Sequence, residues 1–400
     1  MTRKSLLSFA TLFTALSLSN ALAHPSNEEE KEPDLSCIQQ AQWIAPKGHK
    51  PLNGYELIKK AAHQKVVLLG EQHPDAVHHR WQLQTITQLY SHNPNLIIGF
   101  EMFPRRVQPV LDAWGRGELT EDEFLNQTDW EDVWKYDANL YMPIFRFARM
   151  NKLPIIALNV DRSLISDVSQ NGWDKVEASQ KEGVKTPRKA LPDYKKSLKS
   201  VFSLHTHMKE DEKSKQRFNR FVQAQLTWDG AMAQKIADVQ KMGGDPLVVA
   251  IMGSGHIVNG YGVPYQLEGL GLKATTLLPW TIGWDCRELT PTYADAIFGL
   301  EEMEEDDTPY KPQLGVRIEE NEKAPGVLVA QVIEESIAED AGLQDGDIII
   351  SAAGLDVLKP AQLIEIIQRQ APGTWLPLEI NRGDKTIEII AKFPQIEPSS

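Results

Sequence analysis

The 400-residue sequence predicts a mainly parallel α/β sheet flanked by helices, followed by a small β-rich domain. Three observations carry that expectation. Short apolar runs without two-residue alternation recur between long helical segments, as expected of strands buried on both faces. Hydrophobic residues make up 42% and charged residues 24%, which is enough apolar material for a large core and too little charge for general disorder. After an acidic run at 301–307 (EEMEEDD) and the prolines that follow it, the pattern changes to closely spaced short strands.

Taken in order, Arg3 and Lys4, the apolar stretch 6–18 and Ala21-Leu22-Ala23 form a secretory signal, too short to anchor stably in a bilayer. Cleavage after Ala23 removes two basic residues and no acid, taking the formal charge from −13 to −15. No cysteine stands at the cleavage point for lipid attachment, and the product is expected to be periplasmic. Residues 24–36 read as a charged, disordered leader. Cys37 and Cys286 are then the only thiols in an oxidising compartment. Either they are joined, tying the start of the large domain to its end, or they are two buried thiols. Two cysteines exclude a disulfide-dense scaffold and four-thiolate metal sites, and the negative charge argues against nucleic acid or an anionic membrane surface as main partner.

Strands are predicted at 65–70 (KVVLLG), 95–103, 154–160, 246–252 and 273–280, with helices at 76–91, 108–116, 142–151 and 209–242. Strand–helix–strand order implies parallel pairing with right-handed crossovers. Residues 163–205 are less regular, with Pro187, Pro192 and many lysines, and read as an insertion over one end of the sheet, either a lid or a solvated excursion. The large domain, 37–300, gives way to an exposed linker at 301–312, where like charges and prolines oppose continued helix. Beyond it, strands at 315–318, 326–332, 347–352, 376–381 and 385–393, a helix at 360–370 and a smaller one at 337–341 fill a domain over 313–395.

Chemistry is expected at the carboxyl ends of the parallel strands, which share one edge. GEQH (70–73) follows the first strand, Glu101 closes the second, Asn159 and Asp161 the third, and GSGH (253–256) the fourth. Glu71, His73, Glu101, Asn159, Asp161 and His256 should therefore converge. Two imidazoles and two carboxylates in one crevice suit a bound cofactor, a transition metal or an activated water. His78 and His79, at the start of the next helix, could add ligands, but are expected on an exposed helix face. The sequence contains no HExxH, GxSxG or GxxxxGK[ST], so zinc-protease, serine-hydrolase and nucleotide chemistry lack their usual signatures.

GEQH after the first strand, Glu101-Met102-Phe103 after the second and GSGH after a late one resemble the ChaN-like haem-uptake proteins of the Tiki and erythromycin-esterase-like superfamily. The stretch 224–233 (AQLTWDGAMA) is similar to that family's AQ-x-x-x-D-x-x-MA element, as are Trp130, Trp134 and Tyr141-Met142-Pro143. The resemblance covers about residues 50–285. It implies an iron–porphyrin ligand, a tyrosine oxygen on the iron and pairing of two protomers around stacked haems. Tyr261, between Gly260 and Gly262, would be that ligand, with Tyr265 as the other choice; the plainer alternative is a tyrosine packed in its turn. His73, His256, Glu71 and Glu101 would complete the site, with Arg105, Arg106 and the lysines of 185–199 pairing with propionates or forming a solvated face. The superfamily also contains hydrolases, which implies an alternative: a metal-dependent hydrolase with His73, His256 and Glu71 as ligands to a divalent transition metal, and Glu71 or Glu101 as base.

Residues 313–393 resemble a PDZ domain of the periplasmic-protease type. Gln313-Leu314-Gly315-Val316 matches its carboxylate-binding loop, DGDII (345–349) its turn and strand, and Leu363 and Ile367 would face the groove from the helix at 360–370. The resemblances together imply a periplasmic haem-binding protein whose PDZ domain recruits a protein or peptide C-terminus.

Overall fold

The computed structural model describes residues 37–204, 212–302, 312–321 and 324–395. The expected signal and leader, and residues 303–311 of the expected linker, lie outside the described residues.

The first sheet has eight strands: β1 (Trp43–Ala45), β2 (Lys50–Leu52), β3 (Val66–Glu71), β4 (Leu96–Pro104), β5 (Ile155–Asn159), β6 (Leu247–Gly253), β7 (Thr275–Thr281) and β8 (Ala296–Leu300). Their order is β2-β1-β8-β7-β3-β6-β4-β5. From β8 to β5 all pairings are parallel, and β1 and β2 extend the β8 edge antiparallel. β3 shows why the sheet is central, since every residue of VVLLGE is buried. Val67 and Leu69 enter one core with Trp81, Phe100 and Phe145, while Val66 and Leu68 enter another with Met232, Ile236 and Trp280. Successive side chains of one strand thus feed opposite faces, which requires apolar residues throughout instead of at alternate positions.

The expected helices appear at Ala76–His92, Gln108–Gly115, Met142–Met150 and Glu212–Lys241. β1, β2, β8 and the helix Gly54–Ala61 were not anticipated, because elements of three to eight residues carry too little periodicity to be read. The insertion is packed, not solvated. It holds the helices Arg162–Asn171 and Pro192–Leu204, and its Trp173, Val176 and Val184 share a core with Val168, Ala224 and Ala231. Of the two alternatives for the cysteines, the Cys37–Cys286 bond is the one formed.

The second sheet is antiparallel: β9 (Val316–Glu320), β10 (Val327–Val332), β11 (Ile348–Ala352), β12 (Leu355–Asp356), β13 (Trp375–Arg382) and β14 (Lys385–Lys392). The order is β14-β13-β11-β10-β9, with β12 beside β11, so β9 is an edge strand. Helices Ile337–Ala341 and Pro360–Gln368 close a separate core around Leu314, Leu363 and Ile380. Among the described residues, no helix is long and apolar enough to cross a membrane.

Candidate functional site

The carboxyl ends of β3, β4, β5 and β6 open onto one cavity of about 620 Å³. His73, Glu101, Asn159, Asp161 and His256 all line it. Parallel winding therefore gathers residues separated by up to 183 positions, from His73 to His256, at one rim.

Glu71 lies beneath that surface, its side chain fully buried. Tyr141 Oη donates to its Oε1 at 2.7 Å, His73 Nδ1 sits 2.8 Å from the same oxygen, and Gln82 Nε2 donates to Oε2 at 3.0 Å. A buried carboxylate so surrounded is fully partnered and serves to orient His73. His73 has only Nε2 left for a ligand, and among the described residues that nitrogen makes no hydrogen bond. Its ring packs edge-on to Trp134 at 4.7 Å between centroids and lies 5.2 Å from Tyr136. Gly253 makes this possible, because a Cβ there would fall 2.8 Å from His73 Cε1. Burial lowers the His73 pKa, but the hydrogen bond to Glu71 and the charge of Glu101 outweigh it and hold the imidazole above its usual 6.5.

Glu101 and His256 form the other half. Glu101 Oε2 accepts the Gly253 N–H at 2.7 Å, and its Oε1 lies 3.3 Å from His256 Nε2. His256 Nδ1 sits 2.6 Å from Asp229 Oδ1, and Tyr194 Oη donates to Asp229 Oδ2 at 2.8 Å. Burial opposes a charged imidazole, but two flanking carboxylates raise the His256 pKa well above 6.5. Burial likewise raises Glu101, and the facing imidazoles and the Gly253 N–H more than reverse it, leaving it below the usual carboxylate value. Asp229 remains raised by burial, with His256 and Tyr194 opposing. The result is a row in which acids and imidazoles alternate, from Glu71 through His73, Glu101 and His256 to Asp229, and the flanking acids favour the protonated form of His256 most strongly.

Tyr194, Gln82 and Tyr136 were not singled out from sequence, and Asp229 entered only as the acid of the AQ-x-x-x-D-x-x-MA element, with no role given to it. Asp229 left a trace, as an acid within the apolar stretch Ala224–Ala233 of a long helix. His78 and His79 correct an expectation: they are 1% and 2% exposed, not on a solvent face. His78 Nδ1 accepts the Gln72 N–H at 2.9 Å and His79 Nε2 lies 3.0 Å from the His73 carbonyl, so both brace the GEQH turn.

Other anticipated residues lie elsewhere. Tyr261 packs against the cluster of Tyr194 and Leu198, its ring 5.9 Å from that of Tyr194, and does not line the cavity. Tyr265 stacks under the Arg188 guanidinium, 3.6 Å from its ring centroid. Arg105 is engaged by the carbonyls of Glu182 and Ala231, at 3.2 and 2.7 Å. Arg106 reaches the rim but bridges Asp161 and Asp129, at 2.8 and 3.0 Å. The lysines at 185, 189, 195, 196 and 199 are exposed and none lines the cavity. His73, His256 and Glu71 do not form a metal-ligand set: Glu71 is enclosed by its own donors. Among the described residues, no group of three His, Cys, Asp or Glu side chains is disposed to hold a metal ion.

In the second domain, the loop before β9 has its carbonyls pinned inward. Leu314 O accepts from Ala338 N at 2.8 Å, and Gly315 O from Ile333 N at 2.9 Å. In trans peptides the N–H points opposite its carbonyl, so the Gly315 and Val316 N–H groups face outward, as a carboxylate nest requires. Gly315 adopts φ +81°, and a Cβ there would meet Ser336 Cβ at 2.2 Å. Leu363 and Ile367 are buried in the domain core, while Ile364 of the same helix is 36% exposed.

Residues 57–267 match a family model described as haem-binding uptake, Tiki superfamily, ChaN, and residues 312–392 match a PDZ-domain model. The solved structure of ChaN of Campylobacter jejuni, described as binding haem cofacially, shares the fold at 21% identity and a TM-score of 0.52, covering 64% of this chain and 95% of that one. Serine protease HTRA1 of Xenopus tropicalis is 38% identical over 76 residues, which is 19% of this chain and 16% of the relative. A probable periplasmic serine endoprotease, DegP-like, of Chlamydia trachomatis is 41% identical over 75 residues, 19% of this chain and 15% of the relative. The chain thus spans about one sixth of the length of either curated relative.

Proposed function

Because the chain belongs to the haem-binding uptake family ChaN of the Tiki superfamily, we propose that it binds haem in the His73–His256 cavity and takes part in haem uptake. One observation carries this reading: two imidazoles converge on an aromatic-walled space of about 620 Å³, within the usual range for cofactor sites. Trp134, Tyr136 and Trp228 offer flat apolar faces, while His73 Nε2 and the phenol of Tyr136 are donors suited to iron. Haem, when bound, supplies the iron centre. The chain's own residues shape its surroundings: Glu71 fixes the His73 tautomer, Glu101 and Asp229 keep His256 protonated, and Arg162 adds a cation at the rim.

Within this reading Tyr136, which lines the cavity, takes precedence over Tyr261 as the iron-bound phenol. Export to the periplasm, through the signal ending at Ala23, and pairing of two protomers complete the proposal. The PDZ domain would receive a peptide C-terminus at the Gly315 and Val316 N–H groups. A hydrolytic reading draws on the Glu101–His256–Asp229 row, which can hold and release a proton, but no metal site is assembled among the described residues.

Titration with hemin, followed in the Soret region, is the test. A saturable shift is expected, weakened in His73→Ala and altered in Tyr136→Phe but not in Tyr261→Phe. Absence of any saturable shift, with zinc or manganese retained by the purified protein, would refute haem binding and favour the hydrolase. The reverse order of the two tyrosine variants would restore Tyr261.

A further inference from the structure

The large cavity is not built by one domain. Lys359, at the entry to the second domain's Pro360–Gln368 helix, is among its lining residues, beside Asp129 and Asp132. Ala361, Gln362 and Glu365 of that helix face Leu125–Asp132 of the first domain across a smaller space of about 190 Å³. Just past the helix, Arg369 pairs with both Asp122 of the first domain and Glu365 of its own. The helix therefore rests on the segment Trp130–Val133, whose next residues supply the cavity wall. Trp134 and Tyr136 directly follow that segment, and both rings pack against His73.

A short segment with few internal contacts takes its position from whatever is packed against it. Trp130–Val133 is a four-residue helix whose N-cap residue, Asp129, has a left-handed backbone, φ 54°, and makes no side-chain cap. Such a helix does not hold itself, since nucleation is costly and one turn makes little return. One side of it is held by the first domain's own core through Trp130. On its other side lies the second domain's helix.

We propose that the PDZ domain is a structural wall of the ligand cavity, holding the Trp134–Tyr136 side against His73, so that the ligand site is complete only when the two domains are docked. This rests on the haem-binding reading for the identity of the ligand, though not for the wall itself. The helix doing the holding also borders the edge strand β9, so the surface that closes the cavity adjoins the peptide groove.

The test uses the full chain with Arg369→Glu, which sets like charges against Asp122 and Glu365, and the charge swap Asp122→Arg with Arg369→Glu, which restores opposite charges across the contact. Two readouts are followed: amide hydrogen exchange over 129–137, and hemin affinity by Soret titration. Arg369→Glu is expected to speed exchange over 129–137 and to weaken hemin binding by about fivefold or more, as for ordinary coupling between sites. The charge swap is expected to recover both. Unchanged exchange in Arg369→Glu overturns the wall, and unchanged hemin affinity overturns its part in the ligand site. Should the unaltered chain fail to take up hemin, the haem reading falls, and the exchange result alone decides the wall.

Discussion

Replacing Asp229 by Asn isolates the buried charge behind His256. Asp229 is fully buried and receives two donors, Tyr194 Oη at 2.8 Å and His256 Nδ1 at 2.6 Å. A hydrogen bond to a charged acceptor contributes about 1.5–3 kcal/mol and a neutral one about 0.5–1.5, so neutralising the acceptor costs about 1 kcal/mol per bond. Asn also has one acceptor oxygen where Asp has two. If that oxygen keeps Tyr194, the amide N–H₂ meets His256 Nδ1, which must then give up its proton. An amide is cheaper to bury than a carboxylate, which offsets part of the loss. The net destabilisation expected near pH 6 is about 2 kcal/mol. Its pH dependence has a definite sign. In the folded chain the His256 pKa is raised well above 6.5, so the stabilisation is complete below 6.5 and fades as pH rises through the folded value. Urea unfolding from about pH 6 to about pH 9 should therefore show the gap between the two proteins narrowing, and the His256 ring resonances should titrate lower in the variant. A constant gap, or an unmoved His256 titration, would refute the reasoning.

Gly253→Ala places a methyl 2.8 Å from His73 Cε1 without straining a backbone at φ −56°, so hemin affinity should fall far more than stability; equal losses in titration and thermal unfolding would contradict this. Tyr141→Phe removes a buried 2.7 Å donor from Glu71 and should cost about 1–3 kcal/mol, read by urea unfolding. Reduction of Cys37–Cys286 releases a loop spanning 249 residues, worth about 5 kcal/mol in the chain-entropy model, and should lower Tm; an unchanged Tm with reductant argues against it. Glu131 and Glu365 lie on the two sides of the domain contact. Burial pushes each up to about 7, helped by Asp137 and Asp132 for Glu131 and by Glu131 for Glu365, with Arg369 beside Glu365 opposing. Their contribution to docking is complete below the ordinary 4.5 and is lost as pH rises through about 7. Hydrogen-exchange protection over 360–368, taken relative to the intrinsic rate at each pH, should accordingly fall across that range, and Glu365→Gln should flatten the response.

Much of the fold was legible because a strand buried on both faces leaves an unbroken apolar run, as VVLLG at 66–70 does. The edge strands β1 and β2 left no such run. Two of their six residues are exposed and two more half-buried, and pairing with each other and with β8 defines them. The positions of Glu71, His73, Glu101 and His256 at one edge followed from strand polarity alone. Their roles did not. Glu71 reads as a base or ligand until Tyr141 and Gln82, 70 and 11 positions away, are seen to enclose it. Tyr261 and Arg105 read as ligand contacts until their surroundings are seen: the Tyr194 ring for the phenol, two carbonyls for the guanidinium.

The order of strands, glycines and polar strand ends determined the class of fold, the second domain and the edge at which a ligand site had to form, because hydrophobic periodicity and strand direction are local properties written along the chain. Which side chains face the cavity, which proton sits between which carboxylates, and that Lys359 of a separate domain closes the rim were decided only by tertiary structure. Those depend on packing between segments far apart in sequence, and no residue carries a local mark of the neighbour it will meet.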